Sequence, residues 1–591
     1  MTSLMVAFLT IAPRSQAVTI LSGPTFTPAA NAPLAGTLSL ATDVGSRVSV
    51  LVGDGTDVWE KDFYDYSTNH SEILLGFKPG RTNLVQVTVY DKNRNAYTAP
   101  GLLTFVTAPL PGDFPTYTVL TNEPDQMEPG YMLSVINRFG GGTGYIIIMD
   151  NSGNVVWYSP APAGDIDMRQ LDNGDLFFQL ASPYSEFIEL NMLGEIVNTL
   201  HAPPEYPVNV HEGLVTSHGT IMYLSEATYA VSNLPSNIST NAPLVTTNVQ
   251  DNPIVEISFT NQALLNAWSP LTNGLIDPTR ITYLTYGEYT GNPSAVDIEH
   301  ANALIDDTND NSIIVSMRNE NAVIKFSRSG QLKWILGPHA LWGTNWQPYL
   351  LTPVGAPFDW NYGQHAPYLT PQGTLLVFNN NPYQASPYDP WVTDQSNYSS
   401  AVEYSIDETN MTVSEVWNSA WQTNQDRLYA PIVGRVQWLP QTRNVFVTYG
   451  FITYVNGVHP DPYNSSAIMV RLIEYTHDPI PQVVFDVSFF DYDDPNSGYG
   501  GYDCYRAYQI SDLYGHPAEP VTDLSVNDDY SVPLLEFSAD PTHNYIIQAS
   551  TDLVNWTTIG TPVQEGGVGE YDFYDLYANQ FTTRFYRVVT Q

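Results

Sequence analysis

The chain has 591 residues, 61 of them acidic and 21 basic, for a formal net charge of −40. A field of that sign repels nucleic acid and anionic membrane surfaces at long range, so neither is expected as a partner. The single cysteine, Cys504, excludes an intramolecular disulfide and any CxxC metal site, and is read as a small buried residue.

Aromatic content of 13%, 40 glycines and 44 prolines suit many short strands joined by turns. No long window keeps a 3.6-residue apolar period, so the chain is read as all-β. Its length calls for about two to four domains. In chain order, Leu4–Ala12 is a short apolar run followed by "SQA" before Val18, so residues 1–17 are expected to be a signal peptide and the protein secreted or periplasmic. Residues 18–110 alternate strand-like runs ("TLSLAT", "RVSVLVG", "LVQVTVYD") with Gly, Asn and Asp turns, the pattern of a β-sandwich. A Pro-rich boundary, "APLPGDFP", follows at 108–115.

Between residues 111 and 520 one plan recurs: "DIDMRQLDNGDLFFQL", "NVHEGLVTSHGTIMYLS", "EHANALIDDTNDNSIIVSMR", "QHAPYLTPQGTLLVFNN" and "GRVQWLPQTRNVFVTYG". Each unit has a polar anchor, an apolar residue four later, a turn and a β-run. The anchors are Asp167, His211, His300, His365 and Arg435, spaced 44, 89, 65 and 70 residues apart. The 89-residue interval is room for a degenerate sixth unit or a long insertion. Outer hairpins recur as well ("NSGNVVWY", "MLGEIVNTL", "SGQLKWILG", "TNMTVSEVW"). Repeats of this size predict a six-bladed β-propeller, with the anchors gathered at the channel mouth. After a second Pro-rich stretch, residues 521–591 ("LLEFSAD", "YIIQASTD", "RFYRVVT") predict a small C-terminal β-sandwich module.

The ring of anchors carries the chemistry. Asn302 follows His300 by two residues and should share its face of a strand; Arg318 ends the strand run "SIIVSMR". Imidazoles, an amide and one guanidinium without a carboxylate pair suit a tetrahedral oxyanion, gripped by the guanidinium while one neutral imidazole attacks. Asp167 and Arg435 share the ring position but are expected to pair with each other or with backbone. His218, His339 and His459 lack matching motifs and are expected to be structural or exposed. The acidic run 491–503 ("DYDDPNSGYGGYD") lacks the ligand spacing of an EF-hand and is read as a solvated loop. No Walker A, GxSxG, HExxH or dinucleotide fingerprint is present.

Taken together, "DIEHANAL", "SMRNENAVIKFSRSGQLKWILG", "GQHAPYLTPQGTLLVFNN" and "RVQWLP" resemble the bacterial aryl-sulfate sulfotransferase (arylsulfotransferase, ASST) family over about residues 115–515. The resemblance implies a six-bladed propeller that moves a sulfuryl group from a phenolic sulfate ester to a phenolic acceptor, through a sulfohistidine intermediate and ping-pong kinetics. It implies no PAPS, no metal and no other cofactor. By the same resemblance His365 is the nucleophile, His300, Asn302 and Arg318 hold the sulfate, and His211 is the remaining catalytic histidine. The expected partners are a small aryl sulfate and a phenol, with a homodimer left open. A histidine-ligated metalloenzyme and a non-catalytic extracellular binding propeller are the competing readings of the same residues.

Overall fold

The computed structural model describes residues 18–591 apart from residues 92–94, 140, 142, 163–165, 182, 288–293, 422–424, 461–466, 491–499, 516–521, 528–531, 540, 542, 552–554, 565–568, 582 and 591. The expected signal peptide, and residues 491–499 of the acidic run, therefore lie outside the described residues. The protein is 53% strand and 3% helix, as its composition predicts. Among the described residues no helix is long and apolar enough to cross a membrane.

The middle of the chain forms six sheets of four or five strands, antiparallel but for one short edge strand, Thr352–Pro353. Sheet II runs Met168–Gln170, Leu176–Leu180, Glu186–Leu190 and Ile196–His201. Sheet III begins with Val208–Val215, sheet IV with Ala301–Asp307, sheet V with His365–Leu369 and sheet VI with Arg435–Trp438. Sheet I takes its corresponding strand, Ala507–Ile510, from the far end of the chain and pairs it with Tyr131–Arg138. Sheet VI in turn receives Tyr117–Asn122 as its last strand. Each first strand packs against the next sheet, from II through III, IV, V and VI to I and back to II, so the sheets stand in a closed cycle around their first strands.

The turns explain why the repeat was readable. In "NSGN", "DNGD", "MLGE", "SHGT", "RSGQ" and "PQGT" the glycine lies between +70° and +87° in φ, a conformation that costs a residue with a Cβ. In each the glycine N–H closes onto the carbonyl three residues earlier, for instance Gly373 onto Thr370 at 2.9 Å and Gly153 onto Asp150 at 2.8 Å. That geometry makes a tight hairpin between strands whose inward residues are apolar. The 89-residue interval is an insertion. The hairpin Ala227–Pro235 and Leu244–Asp251 interrupts sheet III between its second and third strands, and residues 269–298, with the short helix Tyr283–Gly287, lead to sheet IV.

The N-terminal region is one six-stranded hydrogen-bonded sheet whose long strands Gly36–Gly53 and Val58–Leu74 are broken by register shifts between Ala41 and Val48. The C-terminal region has two sheets sharing a core of Leu535, Phe537, Tyr545, Ile547 and Tyr571.

Candidate active site

His211, His300 and His365 all stand at or near the starts of first strands in consecutive sheets III, IV and V. The rings of His211 and His300 meet edge to face with centroids 4.7 Å apart. Burial is the main influence lowering the pKa of both His211 and His365; His300 and His365 act next on His211, and Arg318 next on His365. These four groups thus lie within electrostatic reach of one another, although up to 154 residues separate them in sequence.

Each imidazole is held by its Nδ1. The Asn209 Oδ1 accepts the backbone N–H of His211 at 2.9 Å and also faces His211 Nδ1. The Asp297 carboxylate does the same for His300, taking its backbone N–H at 3.0 Å and Nδ1 at 2.6 Å. A backbone N–H only donates, so the Asn209 atom facing His211 is the oxygen. For His365 the holder is Asn380, whose Oδ1 lies 2.8 Å from Nδ1. The Asn380 amide nitrogen donates to the carbonyls of Ala430 and Val433, both at 2.8 Å, so the oxygen must face the ring. In all three residues Nδ1 carries the proton, and Nε2 is the nitrogen available for chemistry.

Arg318 is buried and occupies the turn between Ser312–Met317 and Ala322–Ser327. Its backbone N–H bonds the His300 carbonyl at 3.2 Å, and its guanidinium donates to Asn319 Oδ1 at 3.1 Å. The turn is fastened from both sides. Asn319 Nδ2 donates to the Asp297 carbonyl at 2.8 Å, and Asn321 Oδ1 accepts the Gly363 N–H at 2.7 Å. One four-residue turn therefore ties the holder of His300 to the segment leading into His365.

Asn302 is fully buried; its Nδ2 donates to the Gln364 carbonyl at 2.8 Å. Gln364 itself acts as a bolt, its Nε2 reaching Ser316 Oγ, the Met317 carbonyl and the Ala322 carbonyl at 2.9–3.2 Å. Positive φ angles gather here, at His300 (+48°), Asn321 (+50°), Ala366 (+38°) and Asn381 (+62°). Such conformations persist where surrounding structure enforces them, commonly at functional sites.

Arg506, Tyr505, Asn380 and Asp297 were not singled out in the sequence. Arg506 precedes the first strand of sheet I and supplies the sixth member of the ring. It is buried, bonds Asp167 and Glu212 at 2.9 Å each, and donates to the Asn302 carbonyl at 2.5 Å. Tyr505 donates to the same carbonyl at 3.3 Å and lies 6.0 Å from the His211 ring. Asp167 pairs with Arg506 and Arg169, not with Arg435. Cys504 is buried. His339 is held at the Leu351 carbonyl, 2.8 Å away, with its ring tilted against Trp360 at 5.3 Å between centroids. Among the described residues, the His, Asp and Glu ligand atoms that converge as a metal would require belong to Asp65, His70 and Glu72, not to the three site imidazoles.

The arylsulfotransferase (ASST) family model matches residues 116–492, a span that contains His211, His300, Asn302, Arg318, His365 and Asn380 but stops short of Arg506. The chain is 25% identical over 303 residues to arylsulfate sulfotransferase AssT of Escherichia coli, covering 44% of this chain and 48% of that protein. It is 30% identical over 187 residues to AssT of Lelliottia amnigena, covering 28% and 30%. The match thus spans about half or less of these relatives' length. Among solved structures, a luciferin-regenerating enzyme aligns with 66% of this chain and 99% of its own at 9% identity and a TM-score of 0.28.

Proposed function

The chain belongs to the arylsulfotransferase family, and on that premise we propose that it transfers a sulfuryl group from an aryl sulfate ester to a phenolic acceptor, by a ping-pong route through a sulfated His365. The observation that carries this reading is the set of imidazoles, His365 buried and His211 and His300 half-buried, each anchored at Nδ1, beside the buried Arg318. The six sheets in cyclic order are read as the blades of a six-bladed β-propeller, and the terminal regions as β-sandwich modules; the apolar N-terminal run and strong acidity suit an exported protein.

In the first half-reaction the His365 Nε2 lone pair attacks sulfur and an N–S bond forms. The S–O bond to the aryl group breaks, and its electron pair leaves on the phenolate oxygen. Of the three imidazoles His300 alone has a carboxylate at Nδ1, so its protonated form has a counter-charge, and it supplies the proton to that oxygen. Sulfuryl transfer resembles phosphoryl transfer in spreading charge over the peripheral oxygens. Arg318 and the second amide N–H of Asn302 are assigned to those oxygens, and His211 to orienting the phenol. In the second half-reaction His300 takes the acceptor's proton, the phenolate attacks sulfur, the N–S bond breaks and neutral His365 returns.

The test is release of nitrophenolate from 4-nitrophenyl sulfate with and without added phenol. Wild type is expected to depend on phenol, and His365→Ala to lose release entirely while keeping its fold. Release that is independent of phenol would make the enzyme a hydrolase. An active, folded His365→Ala would overturn the assignment.

A further inference from the structure

The first strands of sheets III, IV and V begin at the imidazole cluster and run away from it. The stretches that follow the imidazoles, Leu214–Ser217, Ala303–Asp306 and Ala366–Pro371, line a cavity of about 460 Å³ together with Arg169, Glu212 and Arg435. A second cavity of about 420 Å³ shares Arg169 and Tyr368 with it. Between this end of the channel and the imidazoles lies the buried layer of Asp167, Glu212, Arg169 and Arg506.

Charge in that layer is matched. Two guanidiniums, Arg169 and Arg506, face two carboxylates, Asp167 and Glu212. Asp306, which also lines the cavity, is paired with Arg328 at 2.5 Å. Arg435 is different. Its guanidinium rests on the Tyr508 ring, 4.0 Å from the centroid, and among the described residues it has no hydrogen bond or ion pair; its Nε is buried without a partner. Burial also pushes the Glu212 carboxyl up, which would leave the layer more positive still. In a chain of net charge −40, a half-buried guanidinium with no anionic partner that lines a cavity is a ready-made anion-binding feature.

We propose that this end of the channel binds a small organic anion, a carboxylate or sulfate ester on a body about the size of one aromatic ring. The guanidinium would take the anionic head in its two-pronged fashion, and Leu214, Leu304, Pro367 and Tyr368 would cover the body. A volume of this order is that of small-molecule sites generally. The proposal concerns binding, stands on Arg435 and its cavity, and does not rest on the sulfuryl-transfer reading.

Calorimetry with benzoate, on an Arg318→Gln background that disables the imidazole end, is the test. Benzoate is expected to bind once per chain and neutral benzyl alcohol not at all. Adding Arg435→Gln should weaken benzoate at least tenfold. Equal binding of the alcohol, or an Arg435→Gln protein with unchanged affinity, would overturn the proposal. If Arg435→Gln does not fold, the Arg318→Gln protein crystallised with 4-bromobenzoate decides. Bromine beside Arg435 supports the site, and bromine elsewhere or none overturns it.

Discussion

On the proposed mechanism His365 attacks through Nε2, which is free only because the proton is held on the other side of the ring, and Asn380 does the holding. Asn380→Ala removes the acceptor from Nδ1 and strands the carbonyls of Ala430 and Val433. Freed to take the other tautomer, the ring would present a proton to sulfur in place of a lone pair. The expected loss is about 10²-fold in kcat, with stability falling by about 2 kcal/mol for the unsatisfied carbonyls, read by steady-state kinetics and denaturant titration. Unchanged kcat in a folded variant would remove Asn380 from the mechanism. The acid limb of the reaction is a second prediction at this scale. Burial, then Arg318, lowers the His365 pKa well below its ordinary value, so the ring stays neutral in mild acid. The acid limb of the first half-reaction, followed by quenched flow, should therefore lie below about pH 6. Arg318→Gln removes a positive neighbour and should move that limb to higher pH; a wild-type limb already at pH 7 would contradict the neutral-nucleophile assignment.

Elements show which parts of this were legible. The first strands of sheets II to VI, their glycine turns and the outer strands follow local patterns, so they could be read directly. Asp297, three residues before His300, and the "NNN" run ending the Gln-His unit carry no periodic mark; their roles depend on the two carbonyls and one turn that the fold brings up to them. Sheet I was legible only at its outer hairpin, "NSGNVVWY", because its first strand and a short edge strand come from residues 502–510 while the rest comes from 131–160. For the same reason Arg506 went unnoticed beside Cys504. The junction between sheets VI and I is built on carboxylates and yields a prediction of its own. Glu474, in Met469–Tyr475, accepts the Glu128 N–H at 2.8 Å and Asn444 Nδ2 at 2.6 Å. Burial raises its pKa from 4.5 to about 7. The folded state therefore holds this proton more tightly than the unfolded chain, so its contribution is complete below pH 4.5 and fades as pH rises through 7. Relative to Glu474→Gln, the wild type should lose about 3 kcal/mol between those limits, measured by denaturant titration at pH 4.5 and 8. Parallel pH dependences would show that Glu474 ionises normally in the fold.

For the molecule as a whole, the two terminal regions are joined to the sheet cycle in different ways. One continuous apolar core runs from Val48, Val50, Val87 and Val89 of the N-terminal sheet into Met132 and Ile136 of sheet I and Val470 and Phe489 of sheet VI. These are the two sheets completed by strands from opposite ends of the chain, so the N-terminal sheet covers the seam where the cycle closes. Tyr514 fastens it further, its hydroxyl oxygen accepting the Leu75 backbone N–H at 3.0 Å while Lys61 lies 4.0 Å over its ring. The C-terminal region has its own core and meets the N-terminal sheet through contacts such as Arg47 with Glu570 at 3.1 Å and Gly569 against Tyr64. Arg47 keeps other partners without it, Asp62 at 3.4 Å and the Tyr90 ring at 4.4 Å. A chain ending at Gly515 should therefore fold and turn over 4-nitrophenyl sulfate within about threefold of the full protein, since the C-terminal region has its own core and Arg47, the buried partner it loses, keeps Asp62 and Tyr90. A chain lacking residues 18–110 should fail to fold, because it would expose one face of the closing sheets. Circular dichroism melts and the nitrophenolate assay on both truncations read these outcomes. A stable, active protein without residues 18–110 would mean that strand exchange at the seam closes the cycle unaided; loss of activity in the chain ending at Gly515 would place the C-terminal region in the working enzyme.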